Sequence, residues 1–188
     1  MSAKTLFTPI VPENKLHPTF AKVIEWPGAA PARAMLDQIY QQFEDPDGNF
    51  LEQFQTTGFD QRYFELYLFA YLSRSNFTIN RGYENPDFLV TRGTITVAIE
   101  ATTANPPQTG PLEKYGKKIT ELNYEELKEY QNHELPIRMG SPLFSKLKKK
   151  YWEKEHCKGL PFVVAIEAFH DDESLTFSDA AFDLTPEN

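Results

Sequence analysis

Two acidic residues stand at the ends of neighbouring apolar runs and are the strongest chemical signal in the sequence. Asp87 comes directly before the run 88–90. Glu100 comes directly after the run 95–99. Short runs rich in β-branched and aromatic residues are typical of strands, and the connection at Arg92-Gly93 predicts that these two strands form a hairpin. Both carboxylates are therefore expected on one pair of neighbouring strands.

The turn fixes which side chains share a face of this hairpin. A two-residue turn at Arg92-Gly93 places Asp87 opposite Ala98, so that Asp87 and Glu100 lie diagonally on one face with backbones about 7–8 Å apart. The other face is then continuously apolar, which favours this turn over a three-residue turn. The apolar face carries Phe88, Val90, Ile95, Val97 and Ile99, and the more polar face carries Asp87, Leu89, Thr96, Ala98, Glu100 and Thr102.

Two carboxylates that lie this close repel each other unless a cation or a proton lies between them. Oxygen ligands suit Mg²⁺ or Mn²⁺, and the hairpin contains no histidine that would favour zinc. The pattern therefore predicts a divalent metal site at Asp87 and Glu100. The alternative is that both acids only mark strand ends on a solvent-exposed face.

Glu65 is a third acidic residue of interest, because it interrupts a helical stretch that is apolar on nearly every side. Within residues 62–72 only Arg62 and Glu65 are charged, so Glu65 is expected to be at least partly buried. Burying an unpaired carboxylate is costly, and Glu65 should therefore be protonated, paired or near a metal. Arg62, three residues earlier on the same helix face, is the alternative partner.

The remaining patterns predict an α/β fold. Helical periodicity indicates helices at 31–43, 50–54, 60–72, 121–130 and 141–154, the last capped by Ser141 with Pro142 at its first position. Further strands are predicted at 77–80 and 162–166. The proline-rich residues 1–30 are expected to cover the domain as extended segments and turns, and 103–118 to form a polar loop. The core order is therefore helix, three-strand meander, helix, strand.

This order of elements carries a family resemblance. Glu65 on a helix, Pro86-Asp87 on the second strand and Glu100 on the third, followed by a basic helix and an apolar strand, resemble the PD-(D/E)XK superfamily of restriction-endonuclease-like nucleases. The resemblance implies a nuclease core at 59–170, with an N-terminal arm and helical extension at 1–58 and a tail at 171–188. It also implies that Asp87 and Glu100 bind Mg²⁺ or Mn²⁺ together with the carbonyl of Ala101, and that Glu65 supports the site directly or through water.

One position departs from the family pattern, because Thr102 stands where the superfamily has its lysine. In the superfamily this lysine is sometimes supplied by the following helix, and Lys146 and Lys150 lie on that predicted helix. Both lie along one edge of its predicted buried stripe, from which a long side chain can reach over the sheet, so either is a candidate catalytic residue. The predicted stripe consists of Leu143, Phe144, Leu147 and Tyr151.

The other lysines near this segment are candidates for nucleic-acid binding: Lys148, Lys149 and Lys154. A local basic surface would be needed for this role, because the net charge of the chain is −8 and backbone binding requires clustered Lys and Arg. A solvated helix face is the alternative interpretation of the same lysines.

Composition limits the class of protein further. The 188 residues are 40% apolar, with 15 Phe and 9 Tyr, which is enough to fill one core. The single cysteine, Cys157, excludes an intramolecular disulfide and a multi-cysteine zinc site. The sequence shows neither a long apolar stretch nor a signal-peptide pattern, so a cytoplasmic protein without membrane contact is expected.

Two functional hypotheses follow from the sequence. The first is a Mg²⁺-dependent phosphodiesterase that cleaves DNA, in which the metal at Asp87 and Glu100 activates a water nucleophile. An acidic single domain would then be expected to need a homodimer or a partner protein to hold DNA. The second is a degenerate nuclease fold that serves as a nucleic-acid or protein binding module, which is motivated by Thr102 and the acidic net charge.

Overall fold

A computed structural model describes residues 5–105 and 121–169 of the chain. The chain folds as two compact units. Of the described residues, 5–101 and 152–163 belong to the first unit, and 102–105, 121–151 and 164–169 belong to the second. No helix within the described ranges is long and apolar enough to cross a membrane.

The described residues combine helices with one sheet, which confirms the predicted α/β class. The first half contains the helices α1 (Pro18–Glu25), α2 (Ala30–Tyr40), α3 (Phe50–Gln55) and α4 (Phe59–Arg74), followed by the strands β1 (Thr78–Asn80), β2 (Phe88–Arg92) and β3 (Ile95–Ala104). The second half contains α5 (Tyr124–Glu129), a π-helical turn (Tyr130–Glu134), α6 (Leu135–Leu147) and β4 (Phe162–Ala168).

The strands form one mixed sheet in the order β1-β2-β3-β4. The pairs β1–β2 and β2–β3 are antiparallel. Strand β4 runs parallel to β3, because Ala98 donates its N–H to Pro161 just before β4, and Phe169 just after β4 donates to Ala104 at the end of β3. The predicted strands therefore all exist. Strand β2 begins at Phe88, so Pro86-Asp87 lie just before it rather than on it, and β3 extends four residues beyond its predicted end at Glu100.

Both faces of the β2–β3 hairpin are covered within the first unit. Phe88 and Val90 pack against the aromatic core that the helices supply. On the opposite face, Leu89 and Ala98 pack with Cys157 from the segment 152–163. The aromatic core includes Phe20, Tyr40, Phe43, Phe50, Phe54 and Phe59. A hairpin covered on both faces can hold polar side chains away from bulk water, which is the setting of the candidate site.

The hairpin turn differs from the prediction. Arg92 pairs with Ile95, so the two turn residues are Gly93 and Thr94 rather than Arg92 and Gly93. The reason lies in the backbone of Gly93, whose φ of 61° suits the first central position of a type II′ turn. The shift moves the register by two residues, which leaves every side chain on its predicted face because side chains alternate with a period of two.

The expectation that residues 1–30 only cover the domain was wrong. Helix α1 lies within this segment, and Leu6 and Phe20 are completely buried in the core. Pro18 occupies the first turn of α1, where its missing N–H leaves no hydrogen bond unmade, so this proline begins a helix.

A buried glutamine holds the N-terminal segment in place. The amide of Gln55 is completely buried and donates from Nε2 to the carbonyls of Leu6 and Thr8, at 2.8 Å each. Its Oε1 accepts from the N–H of Ile10 at 2.8 Å. The Gln55 side chain thus makes hydrogen bonds to three backbone groups of the N-terminal segment, in the way that a paired β-strand does.

The helices of the second unit also begin and end elsewhere than predicted. Helix α6 begins at Leu135, not at Ser141, because Pro136 takes the favoured position in its first turn and Pro142 lies inside the helix. It ends at Leu147, and the chain then turns through Lys150, whose φ is 51°. Helix α5 is shorter than the predicted 121–130 and starts with a capping box between Asn123 and Glu126.

Most of the predicted loop at 103–118 lies outside the described residues, and so does the predicted tail at 171–188. The first two residues of that predicted loop, Thr103 and Ala104, belong to β3.

The Gln55 contacts predict a large loss of stability on truncation. Gln55→Ala should lower the free energy of unfolding by about 2–4 kcal/mol, because the buried Leu6 carbonyl loses its donor and the side chain leaves an unfilled space. Urea unfolding measures this loss. Gln38→Ala, an exposed glutamine on α2, is the control and should change stability by less than about 0.5 kcal/mol. Equal effects of the two substitutions would contradict this role of Gln55.

Candidate functional site

Asp87, just before β2, and Glu100, on β3, lie at the end of the hairpin, where the side chain of each accepts a backbone N–H from the other's segment. Phe88 pairs with Ile99, so continuing the register by one residue places Asp87 opposite Glu100 rather than diagonal to it, which corrects the prediction. The Asp87 carboxylate accepts the N–H of Ala101 at 2.8 Å through Oδ2. Glu100 accepts the N–H of Asp87 at 3.3 Å through Oε2. Both carboxylates therefore share one face of the hairpin.

The degree of burial decides between the two interpretations of these acids. Glu100 is only 2% exposed and Asp87 is half-buried. The idea that both acids mark strand ends on a solvent-exposed face is therefore wrong. A buried carboxylate needs hydrogen-bond donors or a cation to offset its lost hydration.

Glu65 on α4 is buried, as predicted, with 1% of its surface exposed. Arg62 donates from Nη1 to both of its carboxylate oxygens, at 2.9 and 2.7 Å. Arg62, the alternative partner considered for Glu65, therefore pairs with it in the structure. Gln53 on α3 in turn accepts from Nε and Nη2 of Arg62, at 2.8 and 2.5 Å, which fixes the guanidinium against Glu65.

Gln61 connects Glu65 to the hairpin. Its Nε2 donates to Oε1 of Glu65 at 3.1 Å and to the carbonyl of Ala101 at 3.2 Å. A backbone carbonyl has two lone pairs, so this hydrogen bond leaves Ala101 capacity for a further interaction. The Ala101 carbonyl, which was predicted as a metal ligand, and the Glu65 carboxylate, which was predicted to support the site, therefore share the Gln61 amide as a donor.

Arg81, which the sequence analysis missed, is the second cation of the site. It follows β1 directly, and its Nη2 lies 3.7 Å from Oε2 of Glu65. Its Nε makes a long hydrogen bond of 3.4 Å to the carbonyl of Asp87. A lone arginine in a polar connection gives no periodic signal; only its place between a strand and Pro86-Asp87 could have drawn attention to it.

The carboxylates and the guanidiniums shift each other's ionisation. Burial raises the pKa of Glu65, and the negative charge of Asp87 raises it further, while Arg62 acts in the opposite direction. Burial lowers the pKa of Arg81, and the carboxylates of Glu65 and Asp87 oppose that change. Glu65 and Asp87 therefore lie close enough to repel each other, with the two arginines offsetting the repulsion.

The oxygen atoms of the site fit a hard divalent cation. Two carboxylates and a backbone carbonyl, from Asp87, Glu100 and Ala101, are the ligand types that Mg²⁺ and Mn²⁺ prefer. Within the described ranges, no group of three or more His, Cys, Asp or Glu side chains is arranged to hold a metal ion. The expected set therefore depends on the Ala101 carbonyl as its third protein ligand.

A polar cavity of 210 Å³ opens beside Asp87 in the first unit. Arg62, Arg81 and Tyr83 contribute to its wall. His156 fixes this wall from the segment 152–163, because its ring stacks on Tyr83 at 3.9 Å and its Nε2 lies 2.8 Å from the carbonyl of Asn85. Asp87 is the one of the three acids of the site that contributes to the cavity wall.

The lysines predicted to complete the site do not lie on one regular helix. Lys146 is in the last turn of α6, while Lys150 follows the helix end with its positive φ. The predicted buried stripe was wrong as well, because Phe144 is 67% exposed and Leu147 is 40% exposed. Helical phase therefore no longer pairs Lys146 with Lys150.

The candidate nucleic-acid-binding lysines lie outside α6. Lys148 and Lys149 follow α6 in the second unit, whereas Lys154 belongs to the first unit. Lys148 and Lys149 are exposed and Lys154 is half-buried. Thr102, at the family lysine position, is buried on β3.

Comparisons with protein-family models, with curated proteins and with solved structures found no match to this chain. Within the described ranges, the structure brings together Glu65, Asp87, Glu100 and Ala101, and adds Gln61, Arg62 and Arg81 to them. A functional assignment therefore depends on the chemistry of these residues.

The raised pKa of Glu65 predicts a specific pH dependence of stability. Over the pH range between the ordinary pKa of 4.5 and the raised value, the folded protein keeps a proton that the unfolded chain has released. Stability should therefore fall as the pH rises through that range, by up to about 1.4 kcal/mol per pH unit for one group.

Urea unfolding at a series of pH values tests this dependence. Glu65→Gln should flatten the fall, because the amide does not titrate, and Glu52→Gln, an exposed glutamate on α3, should leave it unchanged. Parallel curves for the wild type and Glu65→Gln would show that Glu65 ionises alike in the folded and unfolded states.

Proposed function

We propose that this chain is a Mg²⁺-dependent phosphodiesterase that cleaves DNA, with a restriction-endonuclease-like core of the PD-(D/E)XK type. The observation that carries the proposal is the placement of Asp87 and Glu100 on one face of the hairpin. The Glu100 carboxylate accepts the N–H of Asp87, and the Asp87 carboxylate accepts the N–H of Ala101. The half-buried Asp87 and the buried Glu100 repel each other unless positive charge lies nearby, and a divalent ion would add such charge.

The order of the elements supports the same assignment. Helix α4 carries Glu65, β2 follows Pro86-Asp87, β3 carries Glu100, and helices then lead to β4. This sequence of elements is the one that the family resemblance implies. Two helices were predicted between β3 and β4, at 121–130 and 141–154, and α5 and α6 stand there, joined by a π-helical turn.

Each residue of the site has a distinct role in this proposal. Asp87, Glu100 and the Ala101 carbonyl would hold the ion, and Gln61 connects that carbonyl to Glu65. When bound, Mg²⁺ polarises a phosphate oxygen and lowers the pKa of a coordinated water. Glu65, fixed by Arg62, keeps the Gln61 amide in place and so supports the hairpin end from the helix side.

The positive charge that normally comes from the family lysine must come from another residue, since Thr102 has none. Lys146 and Lys150 remain the candidates for stabilising negative charge that develops on the phosphate. Lys148 and Lys149 of the second unit, and Lys154 of the first, would contact the nucleic-acid backbone, which a chain of net charge −8 can hold only where basic residues cluster.

Loss of either carboxylate should abolish metal-dependent cleavage. Asp87→Asn and Glu100→Gln retain hydrogen-bond acceptors for the N–H groups of Ala101 and Asp87 but remove the negative charges that bind the ion. Both variants should stay folded by circular dichroism and lose cleavage of plasmid, linear and single-stranded DNA in Mg²⁺ or Mn²⁺. A wild-type protein that cleaves none of these substrates would refute the assignment.

The lysine candidates can be separated by their effects on rate and on binding. Lys146→Ala or Lys150→Ala should lower the cleavage rate by about 10²-fold with little change in Mn²⁺ affinity. Lys148→Ala and Lys149→Ala should mainly weaken DNA binding and reduce its dependence on salt. Equal, small losses for all four variants would rule out a lysine supplied from this segment.

A binding module without catalysis is the second candidate function. It is favoured by Thr102 and by the direct contacts of Arg62 and Arg81 with Glu65, which already supply positive charge to the acidic cluster. Titration calorimetry with Mn²⁺ distinguishes the two candidates. The nuclease requires a saturable heat that Asp87→Asn abolishes, whereas the binding module gives no such heat.

A further inference from the structure

Arg81 connects three segments of the first unit that converge on the acidic cluster. Its guanidinium donates to the carbonyl of Glu44 after α2, at 2.5 Å, and to the carbonyl of Asp87 before β2, at 3.4 Å. The same group lies 3.7 Å from the carboxylate of Glu65 on α4. Each of its three nitrogen atoms thus faces a different acceptor.

The side chain is nearly enclosed, with 10% of its surface exposed. The ring of Phe43 lies 3.6 Å from the central carbon of the guanidinium, and the ring of Phe88 lies 5.3 Å from it. Removing a cation from water is costly unless anions and hydrogen-bond acceptors replace the lost hydration. Glu65 and Asp87 are the anions that interact with this cation, and aromatic faces add a further attraction.

We propose that Arg81 is a built-in counter-ion of the acidic cluster, which holds Glu65 and the Asp87 segment in position when no divalent ion is bound. The part of this inference that concerns the ion rests on the proposed function, and the part that concerns charge balance does not. The site is then preformed in the metal-free protein, and a divalent ion adds charge to a cluster that Arg81 already stabilises in part.

The shape of the side chain explains why an arginine suits this position. A guanidinium is a planar fork that can donate along three separate directions and stack on a ring at the same time. A lysine ammonium carries the same charge but cannot match the acceptors of Glu44, Glu65 and Asp87 together. Arg81→Lys therefore preserves the charge while it loses the geometry, which separates the two contributions.

A double-mutant cycle without metal tests the charge balance. Arg81→Met keeps an apolar stem but removes the charge, and Glu65→Gln removes the facing negative charge. Arg81→Met should lower the urea midpoint clearly more in the wild type, where it leaves Glu65 without this counter-ion, than in the Glu65→Gln background, so the two changes should not be additive. Arg74→Met, an exposed arginine at the end of α4, is the control and should be additive with Glu65→Gln. Additive losses for Arg81→Met and Glu65→Gln would overturn the proposal.

Thermal unfolding with and without millimolar Mn²⁺ tests the connection to metal. Mn²⁺ should raise the unfolding temperature of Arg81→Met by more than it raises that of the wild type, with Arg81→Lys between them. Equal shifts in all three proteins would overturn this connection while leaving the proposed nuclease intact. No shift in any protein, together with no heat of Mn²⁺ binding to the wild type, would instead refute the proposed function, and a non-additive metal-free cycle would still support the counter-ion.

Discussion

The buried carboxylate of Glu65 is the interaction on which the candidate site depends. It lies inside the first unit with almost no exposure and receives hydrogen bonds from Arg62 and Gln61. A charge in this position would be costly without those donors. Because Gln61 also bonds the Ala101 carbonyl, the same network ties α4 to the end of the hairpin where Asp87 and Glu100 meet.

The network also explains how acidic groups can gather in a protein of net charge −8. The carboxyl groups of Glu65, Asp87 and Glu100 lie in one cluster with the guanidiniums of Arg62 and Arg81, which offset part of the repulsion between Glu65 and Asp87. A nuclease and a binding module would share this scaffold, and they would differ in whether Asp87 and Glu100 hold a metal.

Local patterns in the sequence predicted much of this arrangement. The alternation around residues 87–100 placed the two acids on one face. The apolar surroundings of Glu65 indicated its burial, with Arg62 as the alternative partner to a metal. The register was two residues off because the positive φ of Gly93 decides the turn, and alternation alone is insensitive to an even shift. Because the shift was even, Asp87 and Glu100 stayed on the same face as predicted.

What the sequence did not predict are contacts between distant segments. Arg81 meets Glu44 from 37 positions away, and Gln55 bonds Leu6 from 49 positions away, and neither contact leaves a periodic trace. The predicted start of α6 at Ser141 was wrong because Pro136 and Pro142 both suit the first turn of a helix, and the sequence pattern does not choose between them.

The most direct test of the central claim is the anomalous difference density of a crystal soaked in Mn²⁺. A peak within coordination distance of Asp87, Glu100 and the Ala101 carbonyl is the predicted result, and a fully soaked crystal with no peak at these three residues would contradict a metal-dependent site.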